Sequence, residues 1–284
     1  MNTTKAEYLP VSKLRPFEGH PFQVKEDDEM EQLLWSILSQ GVMTPIIVRP
    51  LENDEYEVIS GHRRVYACQK AGIETVPALI YALDRDAAAI ALVDSNLHRE
   101  RILPSEKAFA YKLKMEAMSR QGQRTDLTSS QVATKLDTAT LVGKAQGESR
   151  DKVYRYIRLT NLIPEILQKV DNGEIALSPA VEISYLTEAE QYTLLDAMEL
   201  NDCTPSHAQT IRMKKLSQQG QLTEEGIYTV MGEEKANQKE RLKIPMDRIR
   251  SFFPRSYTTA QMEEEIVKMC EARYRQRQRS RDER

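Results

Sequence analysis

The chain has 284 residues, of which 40% are hydrophobic and 29% charged. This length favours two or three modules and is sufficient for folding without disulfide bonds. No apolar run approaches the roughly 18 residues that a membrane-spanning helix needs, and the N-terminus lacks the apolar region of a signal peptide. Because Cys68, Cys203 and Cys270 show no metal-ligand spacing, we expect a cytoplasmic protein with reduced thiols, no zinc site and no membrane partner.

The formal net charge of −3 is distributed unevenly along the chain. Residues 104–160 contain 11 basic and 6 acidic side chains, whereas residues 1–103 contain 11 and 16, and residues 161–219 contain 4 and 9. A local cationic patch supplies phosphate contacts even when the whole chain is acidic. We therefore expect a nucleic-acid-binding surface within residues 104–160.

Residues 1–103 alternate short apolar runs with helical patterns. Runs rich in Ile, Val and Tyr predict strands at Tyr8–Val11, Ile46–Arg49, Tyr56–Ile59 and Ala78–Tyr81. Helices with one apolar face are predicted at Glu29–Gln40 and Arg63–Ala71, and Gly41 and Gly72 are expected to cap them. This interleaving indicates a small α/β domain with a mixed sheet.

Beyond Pro104 the strong periodicities are helical. A long helix is predicted at Ser105–Arg120, followed by a polar break from Gly122 to Asp126. Thr128 and Gln131 form a capping-box pattern that begins a short helix. The connection from Asp137 to Glu148 is longer than an ordinary helix-turn-helix turn, so we expect a small inserted element there, around Ala139–Val142.

The helix predicted at Arg150–Leu159 is amphipathic, with Ser149 as its expected N-cap. An apolar side toward the protein and a cationic side outward are typical of a DNA-recognition helix. A merely solvated helix has the same pattern, but the position of this helix in the cationic block favours DNA. The predicted DNA-binding residues are Ser149, Arg150, Lys152, Arg155 and Arg158.

The remaining residues predict further helices. Residues 161–219 are acidic and suit a scaffold, and residues 220–241 resemble a linker with one short helix near Ile227–Met231. An apolar stripe at Met262–Cys270 is either ordinary core or a dimer seam. We predict an α/β domain over 1–103, an all-α helix-turn-helix domain over 104–219, and a linker with a small helical C-terminal region over 220–284.

The junction of the third predicted strand and the following helix has the character of an anion site. Ile59 and Ser60 end the strand, Gly61 follows, and Arg63 and Arg64 come directly after it. The N–H groups at a helix N-terminus and the donors of arginine both suit phosphate geometry. Solvated first-turn charges would give the same short pattern, so further motifs are needed to decide.

Those motifs occur in a characteristic order: His20-Pro21-Phe22-Gln23, Gly61-His62-Arg63-Arg64, Asn96-Leu97-His98-Arg99-Glu100 and Pro104-Ser105-Glu106. Their order and spacing resemble the ParB family of DNA-partition proteins, in particular its plasmid and conjugative-element members. The resemblance implies an N-terminal domain that binds CTP, usually with Mg²⁺, and a central domain that recognises a palindromic, centromere-like site in double-stranded DNA. It also implies a C-terminal homodimer, a nucleotide-gated sliding clamp, nucleoid association and a ParA-type ATPase partner.

Carried over position by position, the resemblance assigns CTP binding to Gln23, Gly61, His62, Arg63, Arg64, Asn96, Arg99 and Glu100. Two positions depart from the family. His62 replaces the usual Glu, and Ser95 stands where a metal-binding Glu usually precedes the asparagine, which leaves Asp94 and Glu100 as candidate Mg²⁺ ligands. We therefore expect nucleotide binding rather than strong hydrolysis, with a weak CTPase activity left open.

Two alternatives of other classes remain at this stage. One is an enzyme on the same scaffold, such as a nuclease, a phosphotransferase or a sulfiredoxin-like reductase that would use Cys68; His62 and His98 would be its candidate acid–base groups. The other is a plain helix-turn-helix transcription regulator. The segment Met1–Pro10 lacks the basic leader that normally engages the ATPase, so only the family resemblance implies that partner.

Overall fold

The computed structural model describes residues 6–99, 101–125, 138–144, 146–233, 246–254 and 256–282. The chain divides into two compact units, Met1–Glu233 and Glu234–Arg284. The helix predicted from the Thr128 capping box lies outside the described residues. None of the described helices is both long and apolar enough to cross a membrane.

The N-terminal part contains a five-stranded mixed sheet. Its strands are Glu7–Pro10 (β1), Leu14–Pro16 (β2), Ile46–Pro50 (β3), Tyr56–Ser60 (β4) and Thr75–Ile80 (β5). The spatial order is β1-β5-β3-β4-β2, with antiparallel β1/β5 and β3/β4 pairs and parallel β3/β5 and β2/β4 pairs. The predicted mixed sheet is confirmed. Strand β2 was not predicted, because three residues ending in proline show no alternation.

Three helices accompany the sheet: Asp28–Gln40 (α1), His62–Lys70 (α2) and Arg85–Asn96 (α3). Helices α1 and α2 pack on one sheet face through an apolar cluster that includes Met30, Ile37, Ile46, Val58 and Cys68. Helix α1 ends where Gly41 takes a positive φ of 72°. The packing of α2 on the sheet fixes Gly61 and the first turn of α2 at the edge of this core.

The rest of the first unit is helical in its described residues. The helices are Pro104–Thr125 (α4), Thr138–Lys144 (α5), Arg150–Arg158 (α6), Pro164–Asp171 (α7), Leu177–Ile183 (α8), Glu188–Leu200 (α9), His207–Gln218 (α10) and Glu224–Gly232 (α11). Helix α4 continues through Gly122, where the sequence predicts a break, because one glycine costs only about 1 kcal/mol in a long helix. Helix α5 covers the predicted inserted turn at Ala139–Val142.

The α/β part and the first helices of the helical part share one apolar core. Phe22 and Ile59 from the α/β part, Leu92 from α3, Tyr111 from α4 and Val153 from α6 all belong to the same buried cluster. Helix α3 packs along α4 in this cluster. The boundary predicted between residues 103 and 104 therefore crosses a continuous core.

A separate cluster joins α7 to α11. Ile166, Leu194, Met213 and Ile227 are fully buried in it. Ile227 lies in α11, within the segment that the sequence predicts as a linker. The short helix predicted near Ile227–Met231 is confirmed by α11, whose side chains at Ile227, Val230 and Met231 are buried in this cluster.

The second unit contains a short helix, Met246–Ile249 (α12), and a long one, Thr259–Asp282 (α13). Met262 is buried, whereas Val267 and Met269 are 52% and 54% exposed. The apolar stripe predicted from the sequence thus lies on α13, and part of it faces solvent.

Candidate functional site

Gly61 joins β4 to α2 in a conformation that favours glycine, with φ 103° and ψ 23°. A Cβ atom at this position would lie 2.8 Å from Ile46 Cγ2 and 3.0 Å from Arg64 Nη2. Both the backbone conformation and the space therefore require glycine. From the sequence, glycine at position 61 is expected because it lets a ligand approach the backbone closely. The structure adds a second reason, since a side chain at this position would collide with Ile46 and Arg64.

Arg64 turns toward the protein. Its Nη1 donates to Pro45 O at 2.7 Å and also to Thr44 O. Burial lowers the pKa of the Arg64 guanidinium from its ordinary value. Arg64 therefore fastens the first turn of α2 to the segment before β3, and part of its donor capacity is used there.

Arg63 bridges α2 and α1. Its Nη2 lies 3.0 Å from Asp27 Oδ1, and its Nη1 lies 3.0 Å from Glu29 Oε2. Asp27 is also the N-cap of α1, because its Oδ1 accepts from Met30 N at 2.9 Å. The carboxylates therefore occupy the Arg63 donors for which the sequence predicts a phosphate partner.

His62, the first residue of α2, is in contact with His20. Their ring centroids lie 3.8 Å apart with an angle of 47° between the rings, and the Nε2 atoms of both are buried without a hydrogen-bond partner among the described residues. Burial, with further contributions from His20 and Arg99, lowers the pKa of His62 to about 3. Burial also lowers the pKa of His20, and Arg99 adds to this effect. Both rings are therefore neutral at pH 7.

Arg99 lies beside Phe22, two residues after His20. Its guanidinium is 5.5 Å from the centroid of the Phe22 ring, within cation–π range. The charge of Arg63 acts on Arg99, and the charge of Arg99 acts on His62. Residues from the first three motifs therefore meet in one region.

The other predicted nucleotide residues take different positions. Asn96 is buried at the end of α3, and its Nδ2 donates to Leu92 O at 2.7 Å. The side chain of Gln23 is exposed, and its backbone N–H donates to Glu106 Oε1 at 3.0 Å. Glu100 lies outside the described residues. Glu106 was not predicted as a site residue, although a carboxylate two residues after a first-turn proline is a recognisable helix-start signal.

Only one of the two predicted magnesium ligands lies among the described residues. Asp94, one of the two predicted ligands, pairs with Lys114, which is buried on α4. No group of three or more His, Cys, Asp or Glu side chains in the described parts of the chain could hold a metal ion. Cys68 is buried, and its burial raises the thiol pKa, which is unlike a nucleophilic cysteine.

In the cationic block, α5 and α6 form a tight helix pair. Their connection spans residues 145–149, and a Cβ on Gly143 would lie 2.5 Å from Glu148 O. Ser149 caps α6 as predicted, since its Oγ accepts from Lys152 N at 3.2 Å. The sequence analysis treats residues 138–144 as part of a long connection. It therefore places the first helix of the helix-turn-helix before these residues rather than at α5.

Glu148 fastens this turn to α4. Its side chain is 7% exposed and accepts from Lys107 Nζ at 2.5 Å, Tyr111 OH at 2.7 Å and Lys152 Nζ at 3.2 Å. Burial opposes ionisation of Glu148, but the three hydrogen bonds outweigh it and lower its pKa. Burial and the bond to Glu148 raise the pKa of Tyr111.

The cations of α6 fall into two groups. Arg150 and Lys152 are exposed at its first turn. Arg155 instead donates to Ser178 Oγ at 2.6 Å, and Arg158 donates to Ser184 O at 2.5 Å while stacking on Tyr185 at 3.9 Å. The two C-terminal arginines thus join α6 to α8. The sequence predicts instead that their side chains face outward.

Comparison with known proteins identifies the family. Residues 1–97 match the family model of the ParB N-terminal domain. The chain belongs to the ParB family. Curated relatives of this ParB chain include the nucleoid occlusion protein of Listeria innocua, 34% identical over 195 residues, and the chromosome-partitioning protein Spo0J of Thermus thermophilus, 34% identical over 173. These alignments cover 68% and 61% of the ParB chain but only 62% and 57% of the relatives.

Two solved structures of Caulobacter crescentus ParB are also similar to this ParB chain. The C-terminally truncated protein complexed to the centromeric parS site is 24% identical, with 75% of this chain and 99% of that chain covered and a TM-score of 0.43. The same protein complexed with CTP-γ-S is 27% identical, with 64% and 93% covered and a TM-score of 0.32.

Proposed function

We propose that this protein is a CTP-regulated, sequence-specific DNA-binding protein of plasmid or chromosome partition. The observation that carries the proposal is the convergence of three motifs that are far apart in the sequence. The His20 ring contacts the His62 ring, the charge of Arg99 acts on both rings, and the charge of Arg63 acts on Arg99. Such a group of cationic and imidazole side chains beside a helix N-terminus suits a triphosphate.

CTP is the nucleotide that ParB-like proteins bind, and its phosphates would lie at the first turn of α2. Arg63 would then exchange its carboxylate partners, Asp27 and Glu29, for phosphate oxygens. Arg64 would keep its carbonyl partners and hold the loop. Magnesium would enter with the nucleotide phosphates, since the described residues do not form a site for it alone.

The DNA surface is proposed at the start of α6. Ser149, Arg150 and Lys152 lie at its first turn, where the side chains and the N–H groups suit backbone phosphates. Arg155 and Arg158 would position α6 through α8 rather than contact DNA directly. In this proposal α5 and α6, with their five-residue connection, are the helix-turn-helix.

The family resemblance further supports a homodimer that closes as a clamp on a palindromic site, with nucleoid association and a ParA-type ATPase partner. Exposed Val267 and Met269 on α13 provide an apolar surface for the C-terminal dimer contact. Weak CTP hydrolysis is compatible with this function but not required by it.

The nucleotide proposal is tested by titrating fluorescent CTP into the full chain, with ATP, GTP and UTP as competitors. Arg99→Ala should weaken CTP binding at least tenfold, and Arg101→Ala, an exposed arginine two positions on, is the matched control. Absence of saturable CTP binding, with and without bound DNA, would reject the nucleotide part of the proposal.

Clamp formation is tested separately on DNA. We expect the protein to stay bound at high salt to closed circular DNA that carries its site, and only when CTP is present. Linearisation of the DNA should release it. Genome-wide mapping of bound DNA supplies the site. Retention that is equal on linear and circular DNA would exclude a sliding clamp.

A plain helix-turn-helix regulator is the second candidate. It is favoured by the engagement of Arg63 with Asp27 and Glu29 and of Arg64 with backbone carbonyls, because these contacts occupy predicted phosphate donors. Such a protein would bind its DNA site equally well with and without CTP. It would also show no circular-DNA retention and no effect on plasmid or chromosome inheritance.

A further inference from the structure

The His20–His62 pair has an unusual hydrogen-bonding state. Both Nε2 atoms are buried without a partner in the described structure. Backbone hydrogen bonds near Phe22 and Val58 raise the proton affinity of His20 and His62, respectively, as expected when a ring N–H donates to a carbonyl. Since Nε2 has no partner among the described residues, we assign the N–H of each neutral ring to Nδ1, which leaves Nε2 as the acceptor.

Two bare acceptors in contact are costly inside a protein. Each buried acceptor without a partner carries a desolvation penalty, and two of them 3.8 Å apart between ring centroids cannot satisfy each other because neither has a proton to donate. A single added proton would convert one Nε2 into a charged donor. The pair therefore lacks a proton, or a ligand that brings one.

Burial is the main reason why the proton is absent, and the surrounding charges modify its effect. Arg99 lowers the proton affinity of both rings, and Glu106 acts in the opposite direction on His20 alone. Burial works in the same direction as Arg99. A cationic ligand at this place would be repelled by Arg99, whereas an anionic one would offset both Arg99 and the burial of the imidazolium.

We propose that the His20–His62 pair is a proton-linked ligand of the nucleotide phosphates. In this inference, which rests on the proposed function, one proton passes from solvent to an Nε2 of the pair when the triphosphate binds. The new N–H donates to a phosphate oxygen. Because the two rings touch, the pair takes one proton rather than two.

The proposal also assigns a role to the residue at which this chain departs from its family. His62 stands in place of the usual Glu, at the first position of α2. An ionised glutamate has no proton to donate to a phosphate, whereas a protonated imidazole is a charged donor. Nucleotide affinity of this chain should therefore rise as the pH falls.

The test is calorimetric titration of the full chain with a slowly hydrolysed CTP analogue, in pairs of buffers with different ionisation enthalpies, from pH 6 to 8. The γ-phosphate titrates in this range, so the protein contribution is the difference between wild type and His62→Gln. We expect wild type to take up close to one proton more than His62→Gln near pH 7. For each pH unit of acidification, the affinity of wild type for the CTP analogue should rise by up to about tenfold more than that of the variant.

His207→Gln is the matched control, because His207 is exposed on α10; it should behave as wild type. Equal proton uptake by wild type and His62→Gln, with CTP still bound, would overturn this inference and leave the proposed function intact. No binding by wild type at any pH would reject both.

A second measurement covers the case in which His62→Gln does not fold or bind. The chain has only four histidines, so their ring resonances can be assigned by NMR in the wild-type protein. Addition of the CTP analogue at pH 7 should move one or both rings of the pair to the protonated state, while His207 stays unchanged. Rings that remain neutral in the saturated complex would overturn the proposal.

Discussion

The hydroxyl of Tyr111 donates a 2.7 Å hydrogen bond to Glu148 Oε2, which ties the turn before α6 to α4. Tyr111 is fully buried. Tyr111→Phe should lower the free energy of unfolding by about 1–2 kcal/mol, because a buried carboxylate loses one donor. Thermal unfolding measures this loss. Tyr192→Phe, which removes a hydroxyl from a 42% exposed ring, should be neutral.

The lowered pKa of Glu148 adds a pH dependence to the same contact. Its contribution to stability is complete above the ordinary Glu value of 4.5 and is lost as the pH falls through the lowered pKa. The free energy of unfolding of Glu148→Gln should therefore be lower than that of wild type at pH 7. Below pH 4.5 it should change less with pH than the wild-type value does. A variant as stable as wild type at pH 7 would contradict the proposed role of the buried carboxylate.

His62 predicts a separate acid sensitivity in the nucleotide-free protein. Its folded-state pKa of about 3 lies below the ordinary value of 6.5, so the unfolded chain binds the extra proton between these pH values. Stability should fall by about 1.4 kcal/mol per pH unit as the pH drops below 6.5. Denaturant titrations should show a smaller slope for His62→Gln and an unchanged slope for His207→Gln.

Asp27 has two roles that different substitutions separate. Asp27→Ser retains an N-cap acceptor for Met30 N but removes the ion pair with Arg63. We expect a stability change within about 0.5 kcal/mol, because Ser and Asp are similar caps. CTP affinity should rise severalfold because Arg63 loses one of its two carboxylate partners and its Nη2 can turn to phosphate. Asp27→Ala should gain the same affinity but lose about 1 kcal/mol of stability.

The two groups of cations on α6 should respond differently to truncation. Arg150→Ala should leave the melting temperature unchanged and reduce the slope of log affinity against log salt by about 0.9, which corresponds to one phosphate contact. Arg158→Ala should lower stability by about 1–3 kcal/mol, because it leaves the buried Ser184 with fewer partners. A stable Arg158→Ala protein with an equally reduced salt slope would place Arg158 on DNA instead.

Gly143 provides a steric test of the α5–α6 pair. Gly143→Ala should destabilise the protein by about 1–3 kcal/mol, because the new methyl would lie 2.5 Å from Glu148 O. Gly232→Ala on α11 is the control, since nothing lies within 4 Å of its Cβ position. Sequence-specific DNA binding should be lost with the first substitution and retained with the second.

The sequence predicts elements with strong periodicity, such as β3, β4, α1 and α6. It fails where partners come from distant residues. The hydroxyls of Ser178 and Ser184 that engage Arg155 and Arg158 lie more than twenty positions away, so an outward cationic face was the natural prediction. Likewise, nothing in Gly61-His62-Arg63-Arg64 indicates that Arg63 meets Asp27 or that Arg64 meets Pro45 O.

The candidate site is likewise only partly predictable from the sequence. Of the residues that the resemblance names, His62 and Arg99 are close enough for the charge of Arg99 to act on His62, whereas Gln23 and Asn96 take other positions. Their electrostatic state depends on burial and on the contact with His20, which comes from a segment 42 positions earlier in the sequence. The neutral state of the His20–His62 pair therefore required the fold.

The core shared by Phe22, Ile59, Leu92, Tyr111 and Val153 limits how this protein can be dissected. A fragment ending at residue 103 would expose the apolar side chains that α4 and α6 otherwise bury. It should therefore be prone to aggregation. Recombination between relatives meets the same constraint: a crossover between α3 and α4 would pair surfaces that were never selected together. In natural chimaeras of this lineage, the α/β part and α4–α6 should be inherited as one block.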